Sequence, residues 1–377
     1  MRRIVLITIT IGAAMAMSST AVPRDLGDTL APSADHPAIG YFNYLGHPTR
    51  DAVSELNRKI EQGGVQLRFE SGNGYLRSVL EWLHVPIESQ MAVFSKTSLQ
   101  APLIEPKNPR TIFFNDSVSV AWMRGGFMEL ASQDPEQGVV FYTLQQRPAS
   151  KPHFERADRC TVCHISDASL GIPGMMVRSR YTAPDGTMRL ILGGFTTDQR
   201  SPFDDRWGGW YVTGNLGGIR HMGNTVFVTE DRAETIPATI GDGYLSPYSD
   251  VAALLVFNHQ MHMSNLLTRM GWEARAGAYD KRRDLARILH DAAREFVDYL
   301  LFVDETPLPN KVSGTSGFAE RFATLGPFDS RGRSLRQLDL DKRLMRYPCS
   351  YMIYAEAFDR LPAEAKAAIY KRMWQVL

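Results

Sequence analysis

The sequence predicts an α+β fold, and three observations predict it. Between Thr111 and Thr229 the chain carries short β-branched or aromatic runs separated by Gly-rich turns, the pattern of strands. From Asp250 onward apolar residues recur at helical spacing over long stretches. At 377 residues, with 44% hydrophobic and 22% charged residues, the chain has ordinary globular composition and length for one large domain or two smaller ones.

The elements follow in order. Met1-Arg2-Arg3 precedes a largely apolar run from Ile4 to Met17, interrupted by Thr8 and Thr10, and small residues follow it. A positive start, an apolar stretch of that length and small residues describe a secretory signal peptide, expected over residues 1–21. Cleavage fits after Ala21, with Ser19 two positions before, or after Ala16, with Ala14 two before. The run is short for a membrane span, and nothing later is apolar enough to cross a bilayer. No integral span is therefore expected in the mature chain.

Residues 22–48 contain Pro23, Pro32, Pro37 and Pro48 and read as an extended lead-in. Asp51 to Gln62 places Val53, Leu56 and Ile60 on one helical face, and Tyr75 to Leu83 reads as a second helix. Strands are expected at Thr111–Phe114, Val118–Met123 and Val139–Leu144, followed by a link from Arg147 to Arg159. Further strands are expected at Thr187–Phe195, Trp210–Thr213 and Thr225–Thr229. Helices are expected at Asp250–Trp272, Lys281–Phe302, Ser350–Leu361 and Ala363–Val376, the last entered through Pro362, where a missing N–H costs little. Residues 49–377 are expected to form one domain, with a helical subdomain from about 249.

Charge excludes one class of partner. Removal of Arg2 and Arg3 takes the 42 basic residues to 40 against 41 acidic ones, a net charge of −1. Nucleic-acid binding normally requires a strongly basic face, so none is expected.

The chemistry concentrates in Cys160-Thr-Val-Cys163-His164. Two thiols three positions apart, followed at once by an imidazole, form the attachment motif for a c-type haem. On one helical turn the two sulfurs face the same side and the histidine falls next to them. A structural zinc site needs a second Cys/His pair, and no other Cys-x-x-Cys or His-x-x-x-His occurs. A thioredoxin-like motif follows a strand in a βαβ unit and needs no histidine. A disulfide across two intervening residues is strained. The expected cofactor is one covalent haem c, held through Cys160 and Cys163, with His164 on the iron. The remaining thiol, Cys349, reads as a buried inert group or as one partner in an intermolecular disulfide.

The second axial position is open at this level. His221, in a Gly-flanked loop between expected strands, is the leading iron-ligand candidate, with Met222 beside it. His259 and His262 share a helix face, and Met175 and Met176 follow Gly-Ile-Pro-Gly close to the motif. An unligated position is the remaining alternative. Arg178, Arg206 and Arg220 are candidate partners for the haem propionates, because guanidinium pairs with carboxylate in two-pronged fashion. Trp207 and Trp210 are candidates to pack on the macrocycle or donate to a propionate.

The five-residue motif and the export signal resemble those of c-type cytochromes. The block from Arg206-Trp-Gly-Gly-Trp-Tyr to Arg220-His-Met-Gly-Asn, with Tyr347-Pro-Cys-Ser-Tyr, is similar to large bacterial cytochrome c-like proteins. That resemblance implies a haem-binding region over residues 49–377, and periplasmic haem attachment. The chain is far larger than a class I cytochrome c, and its single motif departs from the di-haem peroxidase pattern. Two functions follow as expectations. One is electron transfer with a redox partner protein. The other is a haem-dependent oxidoreductase, peroxidase-like or acting on a small substrate, with an open distal site.

Overall fold

The computed structural model describes residues 43–377; the expected signal peptide and lead-in residues 22–42 lie outside the described residues. Residues 43–46 form a turn ahead of the first helix. The expected α+β architecture is present, with most strands in the first two-thirds and the long helices after residue 250.

Helix α1 (Ala52–Glu61) starts at Asp51, whose side chain accepts from the N–H groups of Val53 and Ser54, and buries Val53, Leu56 and Ile60. Helix α2 (Leu76–Trp82) follows. A sheet is then built from β1 (Met91–Val93), β2 (Arg110–Phe114), β3 (Val118–Trp122), β4 (Met128–Asp134), β5 (Gly138–Leu144) and β6 (Glu155–Arg156). Next come the short helix α3 (Thr161–His164), the hairpin β7 (Val177–Arg180) and β8 (Gly194–Thr197), and β9 (Trp210–Tyr211). A second hairpin pairs β10 (Thr225–Phe227) with β11 (Ala233–Thr235). Five helices complete the chain: α4 (Val251–Tyr279), α5 (Leu285–Leu300), α6 (Phe318–Ala323), α7 (Glu356–Asp359) and α8 (Ala363–Val376).

The main sheet is antiparallel in the order β6-β5-β4-β3-β2-β1-β9. Side chains alternate between its faces, and the alternation divides the core. Phe113, Val120, Leu130 and Tyr142 pack with Leu56, Ile60, Val79 and Leu80 from α1 and α2. The opposite face carries Ile112 and Phe114, which meet α4; the rings of Phe114 and Phe257 lie 5.0 Å apart. Further along that face Val139 and Phe141 form a patch with Ala157, Cys160 and Met175.

Helix α4 runs 29 residues, about 43 Å at 1.5 Å per residue. It is buried almost all round, because the sheet covers one side while α5 and α8 cover another through Phe296, Val297, Leu300 and Ile369. No helix among the described residues is long and apolar enough to cross a membrane.

Several expected elements differ. Thr187–Phe195 is not one strand: Leu190–Leu192 turns as a 3-10 helix, Gly193 takes a φ of +72°, and only then does β8 begin. Ser350–Leu361 is not one helix, because Ala355 is extended (φ −70°, ψ 142°) between a 3-10 turn at Tyr351–Tyr354 and α7. The helix expected from Asp250 runs seven residues past Trp272, and the next begins four residues later than expected, at Leu285. Strands β1, β4 and β7 carry too few β-branched residues to stand out from composition.

Candidate functional site

A 3-10 turn at Asp158–Cys160 leads directly into α3, so Cys160, Cys163 and His164 lie together on one short helical segment. Cys160 is half-buried, Cys163 is exposed, and both are free thiols. Burial, then the Glu129 carboxylate, raises the Cys160 thiol to about 11, so it keeps its proton at neutral pH.

The chain after His164 folds back to hold the imidazole. A capping box of Ser166 and Ser169 closes the turn, and Leu170 takes a left-handed φ of +61°. Ile165 then bridges Pro173, and the N–H of Gly174 donates to the carbonyl of His164 at 3.0 Å. The carbonyl of Gly174 in turn meets His164 Nδ1 at 2.8 Å. A carbonyl only accepts, so Nδ1 carries the proton and Nε2 keeps a lone pair. The ring stands against Phe141, centroids 4.7 Å apart. Burial lowers its pKa to about 4, the Gly174 carbonyl opposing and the Arg178 and Arg110 charges assisting, so His164 is neutral at pH 7.

Arg178 and Arg110 are therefore close enough to act on this imidazole. Arg178 sits on β7, and its carbonyl accepts from Trp210 Nε1 at 2.8 Å, so Trp210 supports the strand from behind. Arg110 pairs with Glu129 at 2.9 Å, while its buried Nε has no hydrogen-bond partner among the described residues. Glu129 also accepts from Ser98 at 2.7 Å.

The other predicted site residues are placed elsewhere. Arg206 is buried over the Phe203 ring and spends its guanidinium on the carbonyls of Gln199 and Ser201. Trp207 donates to Asn258 at 2.9 Å. Arg220 is exposed and pairs with Asp204. Of these three, Trp207 meets α4, through Asn258, whereas Arg206 and Arg220 bond to residues within the segment 199–206. His221 accepts from the N–H of Gly223 at 3.0 Å and packs edge-on against Trp207. Trp207 is tied to Asn258, whereas the His164 loop is tied to Asn265, seven residues and about 10 Å further along α4. Met222 Sδ accepts from the Ser179 hydroxyl at 3.5 Å. Among the described residues neither His221 nor Met222 makes a hydrogen bond or ring contact with His164.

His262 meets Arg200 at 3.4 Å and the Tyr299 ring at 4.6 Å. Met175 packs beside Cys160 on Phe141, and its backbone is clamped by Asn265; Met176 is half-buried. His259 is fully buried, donating from Nδ1 to Gln199 Oε1 and accepting from the Ser350 hydroxyl at 2.7 Å. Burial, then the nearby His262, lowers its pKa to about 3. The unfolded histidine, near 6.5, binds more protons than the folded one between those values. The stabilisation from neutral His259 is thus full above pH 6.5 and is lost as pH falls toward 3, at up to about 1.4 kcal/mol per pH unit. The urea midpoint of the wild type is expected to fall between pH 7 and pH 5 more steeply than that of His259→Gln. Parallel declines in the two proteins would contradict this.

The donor set fits a covalently attached haem. Two reduced thiols share one turn, the adjacent imidazole presents Nε2 with Nδ1 committed elsewhere, and a buried arginine nitrogen nearby lacks a partner. Sequence reasoning missed Gly174, Phe141, Asn265, Arg110 and Glu129. The one local signal was Gly171-Ile-Pro-Gly174, ending ten residues after His164. Comparison of the chain with family models, curated proteins and solved structures gave no match.

Proposed function

We propose that this chain is an exported protein of the c-type cytochrome kind, carrying one covalent haem and passing single electrons to a redox partner protein in the periplasm. The observation that carries the reading is the imidazole of His164, oriented by the Gly174 carbonyl at 2.8 Å and flanked by two free thiols. Cys160 and Cys163 would hold the haem, each thiol adding across one vinyl group with sulfur on one carbon and hydrogen on the other, an attachment that would need no oxidant. His164 would hold the iron through Nε2, while the bond at Nδ1 fixes the ring orientation and would raise ligand basicity. Arg178, with Arg110 beside its Glu129 partner, would offer guanidinium groups to the propionates. Bound haem supplies a one-electron iron couple. Cys163 and Val162 are exposed, so a haem held there would lie near the surface, where electron exchange with a partner needs it.

The absence of a contact between His164 and either His221 or Met222 among the described residues favours a second reading, a haem oxidoreductase whose iron would keep an exchangeable position. The test is expression with a cytochrome c maturation system, haem staining after denaturation, and ferrous spectra with and without carbon monoxide. A stained band whose low-spin spectrum ignores carbon monoxide is the expected result for electron transfer. Ready carbon monoxide binding favours the oxidoreductase, and an unstained band refutes both.

A further inference from the structure

We infer that Asn265 tunes the His164 imidazole through the peptide joining Gly174 to Met175; the inference rests on the haem-binding reading above. This single peptide group is hydrogen-bonded at both ends. Its carbonyl accepts from His164 Nδ1 at 2.8 Å, and its N–H donates to Asn265 Oδ1 at 3.1 Å. Asn265 Nδ2 also donates to the Met175 carbonyl at 2.7 Å, so the carboxamide grips one residue from both sides. Asn265 is 1% exposed, in the middle of the buried helix α4. A Cβ at position 174 would lie 2.2 Å from Asn265 Oδ1, so only glycine lets the carboxamide approach this closely.

The arrangement is a hydrogen-bond chain from Asn265 through the amide to the imidazole. An acceptor at a peptide N–H polarises the group and strengthens its carbonyl as an acceptor, an effect enhanced in a low-dielectric interior. A stronger acceptor at Nδ1 makes Nε2 the more basic ligand. A more basic axial nitrogen favours ferric over ferrous iron, which lowers the reduction potential. Asn265 touches neither iron nor porphyrin; it is a positioning residue that acts through Gly174. The indole of Trp272, two turns along, donates to the Glu136 carbonyl at 3.1 Å and takes no part in the chain.

Potentiometric titration of haem-bearing variants tests this. Asn265→Ala removes the acceptor and is expected to raise the reduction equilibrium constant by about tenfold, an upward shift of about 59 mV for a one-electron couple. Asn265→Asp retains an oxygen acceptor, now anionic, and is expected to shift the potential downward. Thr268→Val, which deletes a buried hydroxyl on the same helix that donates to the Ser264 carbonyl and accepts from Gln133 on β4, serves as a control and leaves the potential unmoved. An unmoved potential in Asn265→Ala, or an equal shift in Thr268→Val, overturns the relay. If Asn265→Ala does not fold, the sign of the Asn265→Asp shift decides alone. Wild-type protein without covalent haem overturns the functional reading and the relay together, whereas haem-bearing variants with unchanged potentials overturn the relay only.

Discussion

Double replacement of Cys160 and Cys163 by serine is expected to abolish covalent haem completely while leaving the protein folded. Each sulfur supplies one thioether, so neither bond can form in the double variant. The fold has little dependence on the thiols themselves. Cys163 is exposed, Cys160 is half-buried at the margin of the Val139–Phe141–Ala157 patch, and no disulfide joins them. Exchange of sulfur for oxygen at such positions costs about 1 kcal/mol or less. The expected pair of results is a band that no longer stains for haem after denaturation and a melting temperature within a few degrees of the haem-free parent. Each single variant retains one attachment point and is expected to stain more weakly than the wild type. Covalent haem in the double variant would mean that attachment occurs elsewhere, and the assignment of Cys160 and Cys163 would fall. Loss of the fold would instead assign these cysteines a structural role.

Asp250→Ala is expected to be the most destabilising single substitution in the helical part of the chain. Asp250 has no exposed surface, and each carboxylate oxygen serves a different segment. Oδ1 caps α4, accepting from Ala252 at 2.8 Å and Ala253 at 3.2 Å. Oδ2 accepts from the N–H groups of Thr315 at 2.6 Å and Ser316 at 2.8 Å, and from the Ser316 hydroxyl at 2.9 Å. Position 314 must be glycine for this approach, since a Cβ there would lie 2.4 Å from Oδ2. The backbone of Asp250 also bridges Thr213, next to the end of β9, so one residue joins helix, sheet and loop.

Loss of a helix cap costs about 1–2 kcal/mol, and each buried donor left without an acceptor costs about 1–3 kcal/mol. The buried N–H groups of Ala252 and Ala253 carry this cost, whereas the exposed Thr315 and half-buried Ser316 can turn to water, so the loss is about 2–3 kcal/mol, a sizeable part of the roughly 5–15 kcal/mol that holds a domain together. Urea unfolding at neutral pH is the measurement, with the exposed Asp204→Ala as a control. A loss under about 1 kcal/mol would show that water enters and satisfies the freed donors.

Much of the fold could be read before any coordinates. The 3–4 spacing of Val53, Leu56 and Ile60 identified α1 and its buried face, and Asp51 and Asp250 marked helix starts that the structure caps with those same side chains. Strand β4 escaped because Met128-Glu-Leu-Ala-Ser-Gln-Asp has alternating burial but no β-branched residue. The break in the helix expected after Ser350 escaped because Ala355 is a good helix former, held extended by its surroundings.

The candidate site divides along the same line. Cys160, Cys163 and His164 were legible because covalent spacing on one turn sets their mutual geometry, whatever the rest of the chain does. The arginines were not legible. Arg178 and Arg206 look equivalent in sequence, yet one charge acts on His164 and the other is consumed by the carbonyls of Gln199 and Ser201. The same holds for His221, which pattern nominated and whose ring the fold packs edge-on against Trp207.

By itself, then, the sequence determined the fold class, the starts of α1 and α4, and a turn that presents two thiols and an imidazole together. Only the tertiary structure decided what meets that imidazole: the Gly174 carbonyl at Nδ1, Phe141 against the ring, and Asn265 behind the peptide, 101 residues after His164. The reason is physical. Local geometry follows from bond lengths and helical pitch over a few residues. The partner of a hydrogen bond or a charge is set by which sheet face and which helix turn are packed together, and that is a property of the whole core.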